Sequence, residues 1–277
     1  MTDKILMIDS RSYSGQRSDQ RIGQNPNDLT VYLDEEMDSV EGMRIIFLGI
    51  PCTFYNIAHE LGNNNLLIHD GSSWRYIRIS DGWYDMRTFN REVATQMRKL
   101  GLDPRGLRFD LHVTTGKMAI SFLKLTKRGR KYTYKLSITK YNKDLFGFDE
   151  GSELPRRMRD PTNPSKIIHE EISIGQRPAN FKPFEYYHIH CDLIDTGSVS
   201  YNGKRSDLLV RIPVKECTFG ELSIQYLTGL RDRKCTKKFN KLRLWITDEN
   251  DKPINFNGGN IQYELLFRRS DEEERSG

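Results

Sequence analysis

Between Asn240 and Phe267 the chain alternates between apolar and polar side chains with a period of two. Leu242, Leu244 and Ile246 fall on one side of residues 241–247, and Lys241, Arg243, Trp245 and Thr247 on the other. In residues 260–267, Ile261, Tyr263, Leu265 and Phe267 point one way and Gln262, Glu264 and Leu266 the other. Side chains of a strand alternate between its two faces, so both stretches predict half-buried strands. The polar cluster at 248–253 and Asn257-Gly258-Gly259, residues that tolerate positive φ, predict turns between them. Ile254 and Phe256 carry the alternation from one turn to the next. The chain is thus expected to finish as strand, connection and strand in an antiparallel β domain.

The same reading places strands at 29–33, at 43–50 continuing through Pro51 to residue 56, at 66–68 and at 74–79, the last two joined by a tight loop at 69–73. Stretches 107–113, 118–125 and 132–138 predict a three-stranded meander, and 185–194, 208–214 and 222–226 predict further strands. One stretch breaks the pattern. Phe89, Val93, Met97 and Leu100 recur at helical spacing, Asp85 is placed to cap the helix, and Gly101 to stop it. Residues 1–27, rich in Arg, Ser, Gln, Asp and Gly, predict a flexible arm, and residues 268–277 a charged tail. Residues 141–183 contain Pro155, Pro161, Pro164 and Pro178 and end at Pro183, which predicts a long loop or insertion within a single domain spanning 28–267. Many short strands, one helix and no βαβ rhythm define an all-β, antiparallel sandwich or barrel.

Composition narrows the setting. At 277 residues the chain is long enough for a substantial core, while 36% hydrophobic residues and a mean hydropathy of -0.67 imply long solvated segments. No segment approaches the roughly 20 apolar residues that span a bilayer, and the first residues lack the apolar region of a secretory signal. A soluble, intracellular protein is expected. Cys52, Cys191, Cys217 and Cys235 lie far apart with no Cys-x-x-Cys pair, so reduced thiols are expected. A net charge of +5 and a pI near 8.9 permit a polyanionic neighbour without requiring one.

Candidate chemistry is sparse. His188 and His190 share one face of a strand, as two metal ligands would, with Cys191 on the other face. No third ligand stands near them in sequence, so ordinary packing is the expected role and no metal is assigned. Residues 248–259 faintly resemble a calcium loop, but Pro253 stands at the sixth position and no glutamate at the twelfth, which leaves a turn. There is no Gly-x-Ser-x-Gly elbow, phosphate-cradling loop or His-Glu-x-x-His, so neither an enzyme nor a cofactor is expected. Arg231, Arg233, Lys234, Lys237 and Lys238 form the one candidate nucleic-acid-facing patch. Phosphate contact needs such charge, but only Phe239 is available for stacking on bases, so a solvated connection is the preferred account of the run. The basic run at 127–131 is read in the same way.

Four stretches together resemble a known family: Asp81-Gly-Trp-Tyr-Asp before the helix, Tyr186-Tyr-His-Ile-His-Cys-Asp-Leu-Ile, Ser206-Asp-Leu-Leu-Val-Arg-Ile-Pro-Val, and Leu244-Trp-Ile-Thr-Asp-Glu-Asn-Asp-Lys-Pro-Ile-Asn-Phe-Asn-Gly. They are similar, in this order, to the penton (minor capsid) proteins of Polinton (Maverick) elements and virophage-like viruses. The resemblance implies an antiparallel jelly-roll β-sandwich standing upright in an icosahedral shell. Five copies would close each vertex as a homopentamer beside the major capsid protein, with packaged DNA met non-specifically. The place implied is the virion capsid, assembled inside the host cell, and Trp74, Trp83 and Trp245 are candidate anchors for the contacts. Jelly rolls also serve lectins, so a carbohydrate- or receptor-binding sandwich stays open as an alternative, as does a host-captured capsid protein.

Overall fold

The protein is described here by a computed structural model covering residues 3–11, 27–127, 130–155, 157–160, 163–169, 172–194, 207–214 and 218–269. In chain order the strands begin with β1 (Lys4–Asp9), β2 (Asp28–Met37), β3 (Val40–Pro51), β4 (Asn65–His69) and β5 (Trp74–Arg78). After helix α1 (Met86–Lys99) come β6 (Leu107–His112), β7 (Lys117–Phe122), β8 (Leu125–Lys127), β9 (Arg130–Tyr132) and β10 (Lys135–Ser137). A short helix α2 (Lys143–Phe146) precedes β11 (Glu153–Leu154), β12 (Arg157–Asp160), β13 (Asn163–His169) and β14 (Ile172–Pro178). The chain closes with β15 (Tyr186–Cys191), β16 (Leu208–Pro213), β17 (Leu222–Tyr226), β18 (Arg233–Lys234), β19 (Phe239–Thr247) and β20 (Gln262–Arg269).

These elements form two compact units, Met1–Phe54 with Phe184–Gly277, and Tyr55–Pro183. The division differs from the single domain with an insertion at 141–183: the chain leaves the first unit already after Phe54. It departs and re-enters at one spot, where the rings of Phe54 and Phe184 lie 4.8 Å apart.

The first unit is a jelly roll. One sheet has the order β1-β20-β3-β17, with β18 also on β3, and the other β16-β15-β19-β2. Setting β18 aside, the first strand pairs with the last, the second with the seventh, the third with the sixth and the fourth with the fifth, all antiparallel. Such nested pairing is one long folded ribbon rolled across two sheets. The expected alternation explains the core. Leu242, Leu244 and Ile246 of β19, Tyr263, Leu265 and Phe267 of β20, and Tyr187 and Ile189 of β15 are all closed to solvent. The rings of Phe239 and Phe267, from opposite sheets, meet at 5.5 Å. In β3, Met43 and Ile45 are one residue out of step with Leu48 and Ile50, yet all four are buried. A bulge opposite Glu264/Leu265 supplies the extra residue that restores the facing.

Two further expectations change. Residues 4–9 belong to the sheet, not to a flexible arm, because their partner is the last strand, far away in sequence. Residues 12–26 and 270–277 lie outside the described residues, while Arg268 and Arg269 end β20 rather than open a tail.

The second unit surrounds its own core. Sheets β11-β10-β4-β5 and β14-β7-β6, with α1, enclose Phe89, Val93, Met97, Phe109, Ile120, Tyr134 and Phe146. Phe89 meets Phe109 edge-on at 5.1 Å. The predicted meander holds only for β6 and β7: β10 pairs with β4 and β11, and β7 takes β14 instead, a strand from the stretch expected to be a loop. A second helix, α2, also arises there and ends at Gly147, whose φ of 69° suits glycine. A Cβ at Gly147 would meet the Arg177 carbonyl oxygen at 2.1 Å.

The predicted cap of α1 is present in full. The Thr88 amide donates to Asp85 Oδ1 at 2.6 Å, and the Asp85 amide donates to Thr88 Oγ1 at 2.9 Å. Hydrogen bonds from Thr88 hold the Asp85 carboxyl below its ordinary range. A depressed carboxyl stabilises the fold above its unfolded pKa, about 3.9, and loses that contribution as pH falls below it. Asp85→Ala is expected to lower stability by about 1 kcal/mol in denaturant unfolding at pH 7, with Asp85→Ser restoring most of it. Equal stability of the wild type and Asp85→Ala would show that the cap contributes nothing.

Candidate functional site

The two outer faces of the jelly roll differ in chemistry. Buried strands normally turn polar residues outward, and the β16-β15-β19-β2 sheet obeys. Registered pairs place His188 beside Arg211 and Thr247, His190 beside Trp245, and Arg243 beside Thr30. The β1-β20-β3-β17 sheet does not. Its outward row runs Met7, Glu264, Phe47, Tyr226, flanked by Ile5 and Leu266 on one side and by Ile224 and Leu222 on the other. Tyr226 is 75% exposed and Met7 71%, and Ile5, Leu222 and Ile224 are exposed as well. The rings of Phe47 and Tyr226 meet edge-on at 5.4 Å. The signal for this face was present in Lys4-Ile-Leu-Met-Ile8, a strand apolar on both sides, but it lay within a stretch read as an arm.

The basic run is brought to the rim beside β3. Arg233 and Lys234 form β18 opposite Met43 and Gly42, and all five candidates, Arg231, Arg233, Lys234, Lys237 and Lys238, are exposed. They do not make one uninterrupted positive surface. Lys238 Nζ lies 3.1 Å from Glu36, and Asp232, within the run, sits between Arg44 and Arg268. The side chains of 127–131 lie outside what is described. Of the candidate aromatic anchors, Trp74 is 41% exposed, Trp83 is half-buried, and half-buried Trp245 stacks on His190 with 5.2 Å between ring centres.

Folding also supplies what the histidine pair lacked in sequence. The turn after β19 carries Asp251 to the pair, so that one nitrogen of each ring and a carboxylate oxygen all lie within 4.8 Å of one another. His190 Nδ1 is 2.8 Å from Asp207 Oδ1 and its Nε2 is 3.0 Å from Thr247 Oγ1. His188 Nε2 is buried without a hydrogen-bond partner among the described residues. Burial, then Arg211 and His190, lower the His188 pKa below its ordinary value, which keeps the ring neutral.

The cysteines divide. Cys52 is disulfide-bonded, which corrects the expectation of reduced thiols throughout. Cys191 and Cys235 are free and buried, and burial pushes their thiols up to about 12 and about 11. No helix among the described residues is long and apolar enough to cross a membrane.

No family model and no curated protein matches the chain. Among solved structures it is similar to the mavirus penton protein, in a selenomethionine-labelled crystal, with a TM-score of 0.49 and 12% identity over 96% of this chain and 100% of that one. At that level of likeness, the jelly-roll assignment rests on the strand pairing itself.

A thiolate is the reactive form of cysteine. At pH 8 the native chain is therefore expected to leave Cys191 and Cys235 unlabelled by a thiol reagent, the unfolded chain to label both, and Cys52 to react only once a reductant is added. Rapid labelling of Cys191 in the native protein would contradict its burial.

Proposed function

We propose that this chain is a structural capsid protein, a penton (minor capsid) subunit whose work is association with copies of itself. The observation that carries the reading is the apolar outer face of β1-β20-β3-β17, on which Ile5, Met7, Leu222, Ile224 and Tyr226 are exposed together. Single exposed apolar residues are ordinary, but a contiguous group on a regular sheet marks a surface that binds another protein. The resemblance of residues 81–85, 186–194, 206–214 and 244–258 to penton proteins supports the same reading and supplies the partner, a second copy.

The head-to-tail arrangement, in which two different surfaces meet and a ring closes, follows from the resemblance. The number five comes from the resemblance. In this reading the homopentamer sits at a vertex of the virion capsid, against the major capsid protein. Arg231, Arg233, Lys234 and Lys237 then meet packaged DNA through its phosphates alone, and no catalytic step is asked of the protein.

Light scattering of the purified chain over a concentration series tests the association. The expected result is a pentamer, converted by Ile224→Asp with Tyr226→Asp, at two exposed positions, to a monomer that keeps the circular-dichroism spectrum of the wild type. A wild type that stays monomeric at every concentration, and that is left out of shells when co-expressed with the major capsid protein, would overturn the reading. A glycan affinity in that monomer would favour the carbohydrate-binding sandwich.

A further inference from the structure

We infer that His188, His190 and Asp251 form a binding site for a first-row divalent cation of the zinc class, which clips the turn between β19 and β20 onto β15. Three observations meet here. First, the donor set is two imidazoles and a carboxylate, ligands that suit zinc, cobalt, nickel and iron, and their atoms already lie within 4.8 Å of one another. Ligand bonds of about 2.1 Å in a tetrahedron bring donor atoms to roughly 3.4 Å apart. Asp251, exposed on a turn, is the ligand with room to move as the gap closes.

Second, His190 is held as metal-bound histidines are held. Its Nδ1 lies 2.8 Å from the Asp207 carboxylate, which fixes the proton on that nitrogen and leaves the Nε2 lone pair for a ligand. Thr247 Oγ1 now faces Nε2 at 3.0 Å, but it also lies 3.1 Å from the Asp248 carbonyl and can donate there instead. Third, His188 Nε2 is buried with no partner among the described residues. An unsatisfied buried nitrogen costs desolvation free energy, and an ion would remove that cost.

Charge around the site favours a cation on balance. Asp207, Asp251 and Glu249 carry three carboxylates near the pair, against two guanidiniums, that of Arg211, which lies over the Tyr186 ring at 3.5 Å, and that of Arg243, which is engaged by Asp28. Three protein ligands leave a tetrahedral ion one position for water. The site joins a sheet to a turn of the same unit, so its occupancy does not depend on assembly.

The test uses the full chain, freed of metal with EDTA and titrated with Co2+ and then Zn2+. The expected result is one equivalent bound with the intense visible bands of tetrahedral cobalt, displacement by zinc, and a rise of several degrees in the thermal midpoint. Asp251→Asn, which keeps a residue tolerant of the positive φ of 61° at this turn, is expected to weaken binding at least tenfold. His188→Ala should do the same, and Asp207→Asn should weaken it about 10- to 100-fold. Cobalt that gives only the pale octahedral spectrum, or unchanged affinity in Asp251→Asn, would overturn the inference even if His188→Ala failed to fold.

Discussion

The pairing of residues 4–9 with 262–267 is the contact on which the first unit depends. In nested pairing the outermost pair closes the roll, and β20 then serves β1 on one edge and β3 on the other. Without β20, β3 would keep only β17 and β18, and Phe239 would lose Phe267 across the core. Bringing together segments some 250 residues apart sounds expensive, but loop-closure entropy grows only with the logarithm of length. Burial of Tyr263, Leu265 and Phe267, each worth roughly 1.5–3 kcal/mol for a large apolar side chain, offsets it. The long excursion from Tyr55 to Pro183 adds little to this cost, because Phe54 and Phe184 meet where the chain leaves and returns.

From this frame the two outer faces acquire different uses. Both sheets spend one face of each strand on a common core, so function has only the other face to work with. On β1-β20-β3-β17 that face exposes apolar side chains around Glu264, and it invites a partner that excludes water. On β16-β15-β19-β2 it is polar and rich in imidazole and carboxylate, and it invites ions. The difference follows from single positions: Met7 and Ile224 outward on one sheet, His188 and Arg243 outward on the other.

Strands whose faces differ in polarity were legible in the sequence. Residues 241–247 and 262–267, the 69–73 hairpin loop and the Asp85-capped helix all fall where alternation and capping chemistry place them. The pattern did not say that β19 and β20 lie in different sheets, since period two records which face is buried and not which strand lies beside it. Residues 4–9 escaped because a strand apolar on both faces has no alternation, and β14 because its surroundings are full of proline and charge. The candidate basic residues are exposed, but Glu36 from β2 and Asp232 within the run dilute their charge. Likewise Asp251 stands sixty-one positions beyond His190, too far for any spacing rule to join them.

Hydrogen-exchange mass spectrometry on the full chain tests the nested pairing most directly. In residues 4–9, which form an edge strand, the alternate amides that donate to β20 should be protected to the same degree as their partners in 262–267, since they open only when the roll opens. If residues 4–9 exchanged at the rate of a free peptide while 262–267 stayed protected, the first strand would not close the sheet and the jelly-roll account would fail.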